Sequence, residues 1–410
     1  MPSGNAAALA PVHLVELETE RAAERIDGLD RFVAVEALVR HRGVPVGWVR
    51  IPVTNGTCSA ADVASALARF TGETDTAVAD ATPNDAWPPV TVVVCTRDRP
   101  EELSRCLDSL EAMDHRPHEV LVVDNAPTTD TTRRLVERRG GVVRYAHEPA
   151  PGLDHARNRG IACATGEVLA FTDDDVLVDP RWSSVIAATF ASDPSVVAVT
   201  GIVLPAELET DAQVLFERYR SFARGFRRKR ARADGPGTVA SRYGLTGDFG
   251  TGANMAFRRD LFERIGPFDP ALDVGTPARG GGDLEMFFRV LKEGHVLVYE
   301  PRAMVRHRHR RTMAELRRQI TDHGIGFSAY VVRSMKAYPD ERVAFTRLAA
   351  WWYGKTMFRM LFPKTTPAGA LRRLGVAELG GCVIGLSRYR GPRRTSMSPG
   401  VDGRQFDHAP

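Results

Sequence analysis

Cysteine is scarce in this sequence, and both long apolar runs and a strong excess of charge are missing. The 410 residues include five scattered cysteines without a pair at metal or redox spacing, which argues against a disulfide framework. A formal net charge of +4 requires no nucleic-acid partner. No apolar run approaches the roughly 20 residues that span a bilayer, and no basic segment followed by an apolar one opens the chain. We therefore expect reduced thiols, a cytoplasmic location and no secretory signal.

Three consecutive carboxylates, Asp173, Asp174 and Asp175, follow the apolar run at residues 168–171. Carboxylates this close repel one another unless a divalent cation lies among them, and oxygen ligands suit Mg²⁺ or Mn²⁺. A cation at the end of a buried strand points to phosphate chemistry. Taken alone, the run fits a solvated turn before a helix near Pro180 equally well.

The first 85 residues predict a small α+β module. Residues 31–53 read as two strands joined by a tight turn, and Ser59 is placed to cap a short helix. Residues 71–89 are rich in Thr, Asp, Ala and Pro, as linkers are. The module has no catalytic signature, so we interpret it as a docking or packing element.

From residue 90 the pattern becomes strand, turn and helix, repeated. Apolar strands are predicted at residues 90–95, 119–123, 142–146 and 168–172, with helices between them. This alternation indicates an α/β fold with a parallel sheet. Polar residues follow the strands, and ligands of such sheets bind outside the carboxyl ends of the strands.

Seven ordered blocks within residues 90–307 resemble the family 2 glycosyltransferases. They are VVCTRDRP (93–100), VVDN (122–125), GLDHARNRG (152–160), TDDD (172–175), GANMAFR (252–258), GPFD (266–269) and GGDLEMFFR (281–289). Each block is short, but their joint order is specific. The resemblance implies a GT-A type nucleotide-diphospho-sugar transferase fold, a mostly parallel Rossmann-like sheet flanked by helices, over residues 86–310.

The resemblance also implies which residues hold the donor. Binding of the nucleotide is expected from Thr96, Arg97, Asp124, Arg157, Asn158, Asp173 and Asp174. Asp173 would be the ribose-side carboxylate, while Asp175 and His307 would bind a divalent cation, Mg²⁺ or Mn²⁺. The alternatives are structural: a turn carboxylate for Asp124, and a solvent-facing helix turn for Arg157 and Asn158.

The acceptor half depends on Asp283, the general base that the resemblance implies. Gly282 stands where relatives usually have Glu, so the contact of that Glu is missing or comes from elsewhere, with Glu285 as the nearest candidate. Asn254 would support the acceptor side. Asp283 could also cap the helix that follows it.

The implied reaction is inverting sugar transfer from a UDP-, GDP- or dTDP-sugar to an acceptor hydroxyl, with a lipid-linked acceptor among the candidates. Envelope polysaccharide, glycolipid and natural-product glycosylation all fit. A nucleotide-sugar-binding protein without catalysis, or a nucleotidyltransferase on the same fold, are the alternatives.

Two further regions follow the shared blocks or interrupt them. The basic run at residues 224–232, with the segment to 237, matches a variable acceptor loop. Residues 311–390 read as helices whose mixed aromatic and basic residues fit packing or peripheral membrane contact. Residues 391–410 read as a disordered tail.

Overall fold

The computed structural model describes residues 8–70, 87–233, 239–362 and 367–391. Residues 71–86, which hold most of the predicted linker, residues 234–237 of the predicted acceptor loop, and residues 392–410 of the predicted tail lie outside the described residues. The boundary between the predicted module and the next domain therefore stays a prediction.

The N-terminal module is a three-stranded sheet with one helix. Its strands β1 (Val12–Glu18), β2 (Ala34–His41) and β3 (Val44–Pro52) pair in that order, and α1 (Ala60–Leu67) follows. The predicted cap is present, because the side chain of Ser59 accepts a hydrogen bond from the Asp62 amide at 3.1 Å. Strand β1, which the sequence did not indicate, pairs in parallel with β2. The module packs on the central sheet, where Arg40 donates to Asp179 at 2.6 Å.

The central sheet and its helices occupy residues 90–307. In chain order the elements are β4 (Val90–Thr96), α2 (Pro100–Glu111), β5 (Glu119–Asn125), α3 (Thr131–Arg139), β6 (Val143–Glu148), α4 (Leu153–Cys163), β7 (Val168–Asp173), β8 (Val176–Val178), α5 (Trp182–Ser192), β9 (Val196–Pro205), α6 (Asp211–Arg220), β10 (Lys229–Ala231), α7 (Val239–Tyr243), β11 (Asn254–Arg258), α8 (Leu261–Ile265), α9 (Gly282–Lys292) and β12 (Val296–His307).

The strands assigned from the sequence form one parallel half of this sheet. The strand order is β10-β12-β9-β11-β7-β4-β5-β6, with β8 paired to β12. Strands β7, β4, β5 and β6 are all parallel, and β4 and β5 are buried along their whole length. Helices cover both faces, with Leu103 and Leu107 of α2 in one core cluster and Phe287 of α9 in the other. The predicted α/β fold is confirmed.

Strand β11 departs from the parallel pattern because it runs antiparallel to both neighbours, β7 and β9. Its reversed direction places its first residue, Asn254, opposite Thr172 near the carboxyl end of β7. An antiparallel strand thus brings its start to the edge where parallel strands end. Strand β12 returns parallel to β9 and ends at His307, opposite Pro205.

Among the described residues, three helices follow the sheet. They are α10 (Met313–Ala337), α11 (Arg342–Leu361) and α12 (Ala368–Gly385). Helices α10 and α12 pack closely through glycines, since a Cβ added to Gly324 would collide with the Glu378 carbonyl oxygen. Within the described ranges, no helix is both long enough and apolar enough to cross a membrane.

A buried ion-pair cluster fixes α9 against α10. Glu285 on α9 is fully buried, and its carboxylate accepts from Arg289 at 2.5 Å and contacts Arg333 of α10 at 2.5 Å. Arg289 also donates to the carbonyl oxygens of residues 265–267. The cluster therefore holds α9, and with it Asp283, in a fixed position.

We predict that Glu285→Gln lowers the free energy of unfolding by about 3 kcal/mol, because the buried Arg289 and the partly buried Arg333 lose their shared carboxylate. Urea denaturation followed by circular dichroism measures the change. The exposed Glu263 provides the control, and Glu263→Gln should change stability by less than about 0.5 kcal/mol. Equal denaturation midpoints for the two variants would show that the Glu285 cluster stabilises nothing.

Candidate active site at the carboxyl edge of the sheet

The ends of β7 and β12 bring two aspartates and a histidine together. Asp173, Asp175 and His307 each offer one ligand atom, and these atoms all lie within 4.8 Å of one another. His307 Nε2 is 3.1 Å from Asp175 Oδ1, and its Nδ1 is buried without a hydrogen-bond partner among the described residues. Two carboxylates and an imidazole at this spacing fit a divalent cation. The side chain of Asp175 is only 4% exposed, so a solvated turn does not describe this segment.

The carboxylate of Asp174 turns away from this cluster toward β4. It accepts hydrogen bonds from Thr96 Oγ1 at 2.7 Å and from Arg99 Nη1 at 2.6 Å. The other terminal nitrogen of Arg99 donates to Asp175 at 2.8 Å, so one guanidinium clamps both carboxylates. Burial raises the pKa of Asp174 to about 7, against the opposing effect of Arg99.

The pKa of Asp175 moves in the opposite direction from that of Asp174. Burial acts to raise it, but His307 and Arg99 outweigh burial and hold the pKa of Asp175 well below its ordinary range. Arg310 adds positive charge at 3.6 Å from Asp175 Oδ2. Asp175 is thus the carboxylate of the triplet that stays ionised most readily.

A cavity of about 910 Å³ opens beside the cluster. Four of the residues predicted for the site line it: Arg157, Asp173, Asp283 and His307. Helices α10 and α11 also line it, through Phe327, Tyr330, Trp351 and Trp352. The fold therefore places Arg157, Asp173 and His307 of the predicted donor side in one space with Asp283.

Backbone amides hold Asp283 at the start of α9. Its two oxygens accept from the amides of Gly252 and Leu284, each at 2.8 Å. The helix begins at Gly282 with Gly281 as its N-cap, so the alternative that Asp283 caps α9 is wrong. Burial, and then the neighbouring Asp273, raise the pKa of Asp283. A carboxylate with a raised pKa is a stronger base.

Arg157 links two further carboxylates to this wall. Its Nη1 donates to Asp154 at 2.9 Å and to Asp273 at 2.5 Å, and its side chain is only 5% exposed. A solvent-facing Arg157 is therefore excluded. Burial and the nearby Asp273 raise the pKa of Asp154 well above its ordinary value.

The same carboxylates fill the space next to Gly282. A Cβ added there would collide with Asp154 Oδ2 and lie 2.8 Å from Asp273 Oδ2. The glutamate that relatives carry at this position has no room here. Glu285 does not replace it, because its carboxylate is bound by Arg289 and Arg333 and does not line the cavity. Asp273 is the acidic group that the fold places in this space.

The residues predicted for the base pocket lie at the neighbouring strand ends. Asp124 is fully buried, and its Oδ2 accepts from the Tyr145 hydroxyl at 3.2 Å. Burial raises the pKa of Asp124, and its Oδ1 has no hydrogen-bond partner among the described residues. Tyr145 and His147 line a second cavity of about 400 Å³ there. Arg97 is half exposed beside Asp98.

Two predicted site residues use their side chains within the fold. The amide group of Asn158 makes both of its hydrogen bonds, at 2.9 Å, with the backbone of Phe268. Asn254 accepts from Trp182 Nε1 and donates to the carbonyl oxygens of Ile202 and Ala303. Asn254 therefore supports the site by joining β11 to β9 and β12.

Sequence reasoning missed Arg99, Asp154 and Asp273. Arg99 and Asp154 lie inside recognised blocks, so their positions carried a signal that was not assigned a role. Asp273 has a left-handed backbone with φ of 65° in an irregular segment, and no motif marks it. Only the folded arrangement identifies it.

Comparison with known proteins supports the resemblance. Residues 91–266 match the model of glycosyl transferase family 2. The chain is 27% identical over 233 residues to the glucosyl-dolichyl phosphate glucuronosyltransferase of Haloferax volcanii, covering 53% of this chain and 69% of the relative. It is 26% identical over 294 residues to the pre-mycofactocin glycosyltransferase of Mycobacterium tuberculosis, covering 71% of this chain and 56% of the relative.

A solved structure of low similarity was also found. The mannosyltransferase PcManGT of Pyrobaculum calidifontis, in complex with GDP-Man and Mn²⁺, is 18% identical. It covers 75% of this chain and 90% of its own, with a TM-score of 0.49. The likeness to family 2 glycosyltransferases thus depends on the sequence matches and on the ordered blocks. The family model matches residues 91–266, and over this part the chain is similar to glycosyltransferases.

Proposed function

We propose that this chain transfers a sugar from a nucleotide-diphosphate-sugar to an acceptor hydroxyl, with inversion at the anomeric carbon. The observation that carries the proposal is that Asp173, His307 and Asp283 line one cavity of about 910 Å³. A ligand in this cavity would contact both the cluster that could hold a cation beside its phosphates and Asp283, the candidate base. Direct displacement needs both and needs no covalent intermediate on the protein.

The donor nucleotide would bind across the ends of β4, β5 and β7. Asp124 and Arg97 would contact the base, and Asp173 the ribose, whereas Thr96 and Asp174 hold each other and position the turn. Arg157 would present positive charge to the donor from the opposite wall. The choice among UDP-, GDP- and dTDP-sugars would depend on the second cavity, whose polar lining includes Tyr145, His147 and Asp130.

Asp173, Asp175 and His307 would hold the divalent cation, Mg²⁺ or Mn²⁺. Their ligand atoms converge within 4.8 Å, and the carboxylate of Asp175 stays ionised because His307 and Arg99 lower its pKa. A cation bound there supplies Lewis-acid stabilisation of the leaving diphosphate. Arg99 would keep Asp175 oriented toward the cluster by holding the second oxygen of its carboxylate at 2.8 Å.

Asp283 would take the proton from the acceptor hydroxyl as its oxygen attacks the anomeric carbon. The amides of Gly252 and Leu284 fix the carboxylate, so little reorganisation accompanies proton transfer. Asp273 would accept hydrogen bonds from a sugar hydroxyl in place of the glutamate that Gly282 excludes. Arg157 holds Asp273 for that purpose.

A lipid-linked acceptor and a cytoplasmic location at the inner membrane face complete the proposal. The relative from Haloferax volcanii is named for a dolichyl phosphate substrate, which supports an acceptor of this class. The described cysteines are all free thiols, which supports a reducing compartment. Envelope glycans, glycolipids and natural products stay open as destinations.

We predict that one nucleotide-sugar in a UDP-, GDP- and dTDP-sugar panel binds only with Mg²⁺ or Mn²⁺, and that Asp175→Asn weakens its binding by roughly 100-fold or more. Isothermal titration calorimetry with and without EDTA measures the affinity, and slow donor hydrolysis reports turnover. Asp27→Asn, at an exposed carboxylate of the N-terminal module, is the matched control. Binding that is indifferent to metal and to Asp175 would exclude the proposed cation site. Donor binding with no transfer to any acceptor would instead favour a binding protein.

We further predict an acid limb in the pH profile of kcat that lies above the ordinary carboxyl range. Asp283 must be ionised to accept a proton, so activity is lost as the pH falls through its raised pKa. Asp273→Asn removes a negative neighbour, lowers the pKa of Asp283 and should move the limb to lower pH. Asp283→Asn should reduce kcat by roughly 10²- to 10⁴-fold.

The control for this pH profile is Asp322→Asn. Asp322 lines the same cavity, but it pairs with Arg279 at 3.0 Å rather than acting on Asp283. Its substitution should leave the acid limb in place. A limb that does not move in Asp273→Asn, or moves to higher pH, would contradict the assignment of Asp283 as the base.

A further inference from the structure

Helices α11 and α12 carry a large exposed apolar surface, which we name the apolar-basic face. Its exposed apolar residues include Trp351, Phe358, Leu361 and Phe362 on α11 or at its end, and Val383 and Ile384 on α12. Phe362 is 61% exposed and Val383 is 71% exposed. Side chains this apolar and this exposed, on two helices that pack against each other, mark an interaction site rather than ordinary surface composition.

The helical period groups these residues. Trp351, Phe358 and Phe362 are spaced by seven and four residues, which places them on one side of α11, and the rings of Phe358 and Phe362 lie 5.0 Å apart. The opposite side of α11 is buried through Phe345 and Thr356. The helix therefore presents its apolar side outward while its other side packs on the protein.

Helix α12 is held just as firmly. A Cβ added to Gly381 or Gly385 would collide with the carbonyl oxygens of Thr321 or Ile325 on α10. Backbone contact this close means that the two helices cannot rotate to bury Val383 and Ile384 without losing the α10 interface. The exposed face is thus a fixed feature of the fold.

The charge of this region has one sign. Residues 342–390 contain nine Lys and Arg and a single acidic residue, Glu378. Glu378 is buried, and its carboxylate is taken by Arg220 at 2.5 Å and Tyr219 at 2.6 Å. Arg372, Arg373 and Lys355 are exposed beside the apolar residues. The face therefore offers aromatic and aliphatic groups together with unopposed positive charge.

We propose that the apolar-basic face docks the protein on an anionic lipid bilayer, with α11 and α12 lying in the headgroup region. Aromatic and aliphatic side chains enter the boundary between headgroups and acyl chains, while basic residues contact anionic headgroups. A second copy of the chain fits less well, because a two-fold contact on this face would oppose cations to cations. Trp351 and Lys355 also line the cavity of the active site, so docking brings its opening to the membrane surface.

Vesicle co-sedimentation of the full chain tests the proposal. The probes are vesicles of phosphatidylcholine alone and vesicles of equal parts phosphatidylcholine and phosphatidylglycerol. We expect binding to the anionic vesicles, weakened by high salt because charge attraction is screened. Phe358→Ser combined with Phe362→Ser should weaken partitioning by roughly tenfold or more, given the apolar area of each ring.

Charge reversal provides the second arm. Arg372→Glu combined with Arg373→Glu should remove the preference for anionic vesicles, with a loss of roughly tenfold or more. The matched controls are Val142→Ser and Arg138→Glu, which change exposed residues of the central domain. Both controls should bind like the native chain.

The remaining outcomes would overturn the proposal. Native chain that stays in the supernatant with both vesicles, or binding that is equal in the native chain and in both face variants, would exclude a membrane role for this face. Sedimentation velocity tests whether a second copy of the chain binds this face instead. A dimer that the Phe358→Ser and Phe362→Ser changes dissociate, without vesicle binding, would assign the face to a second copy. Donor binding in the same preparations reports the proposed function separately.

Discussion

Repulsion among six carboxylates at one edge of the sheet is the constraint on which the site depends. The six are Asp154, Asp173, Asp174, Asp175, Asp273 and Asp283, and positive charge reaches them from only a few groups. Each arginine is shared: Arg99 between Asp174 and Asp175, and Arg157 between Asp154 and Asp273. Asp175 is well compensated by Arg99, His307 and Arg310, but the other carboxylates are incompletely paired, and burial raises the pKa of Asp154, Asp174 and Asp283. A site with this charge balance favours a cation and a ligand that carries one.

Sequence patterns predict the parallel half of the sheet, where the composition of each strand agrees with its burial in the fold. Strands β4, β5 and β7 are buried on both faces, so their composition alone marks them, and their shared direction sends Thr96, Asp124 and Asp173 to one edge. The reversal of β11 leaves no such mark. A short apolar strand reads the same in either direction, and its pairing depends on how the preceding segment returns to the sheet.

The site residues also divide into those that the sequence could predict and those that it could not. His307 could be predicted because the resemblance to family 2 glycosyltransferases supplied it. Asp273 could not, since it belongs to an irregular segment whose path depends on contacts distant in sequence. Its carboxylate meets Arg157, 116 residues earlier in the chain. Periodicity carries no information about such pairs, and only a block shared with relatives or the folded structure reveals them.

At Gly282 the expected glutamate side chain is absent because neighbouring carboxylates occupy its space. Its absence therefore indicates a differently shaped site and does not by itself indicate a lost function. The glycine leaves out the side chain that would collide with Asp154 and crowd Asp273, and Gly252 likewise leaves room for the Arg157 guanidinium. Four positions therefore depend on one another. Gly252 and Gly282 leave space that a side chain would fill, and Asp154 and Asp273 occupy part of it while both bind Arg157. Restoring the glutamate alone would displace Asp154 or Asp273 and leave part of the Arg157 charge unpaired.

The C-terminal helices hold the site in place and also line the cavity through which a ligand would reach it. Helix α10 supplies Arg333 to the Glu285 cluster that positions α9, and the glycine contacts of the same helix hold α12. Helix α11 lines the same cavity with Trp351 and Trp352. The orientation of Asp283 and the orientation of the apolar-basic face thus depend on one helix. A partner bound at that face would meet a cavity in which two backbone amides already hold the carboxylate of Asp283.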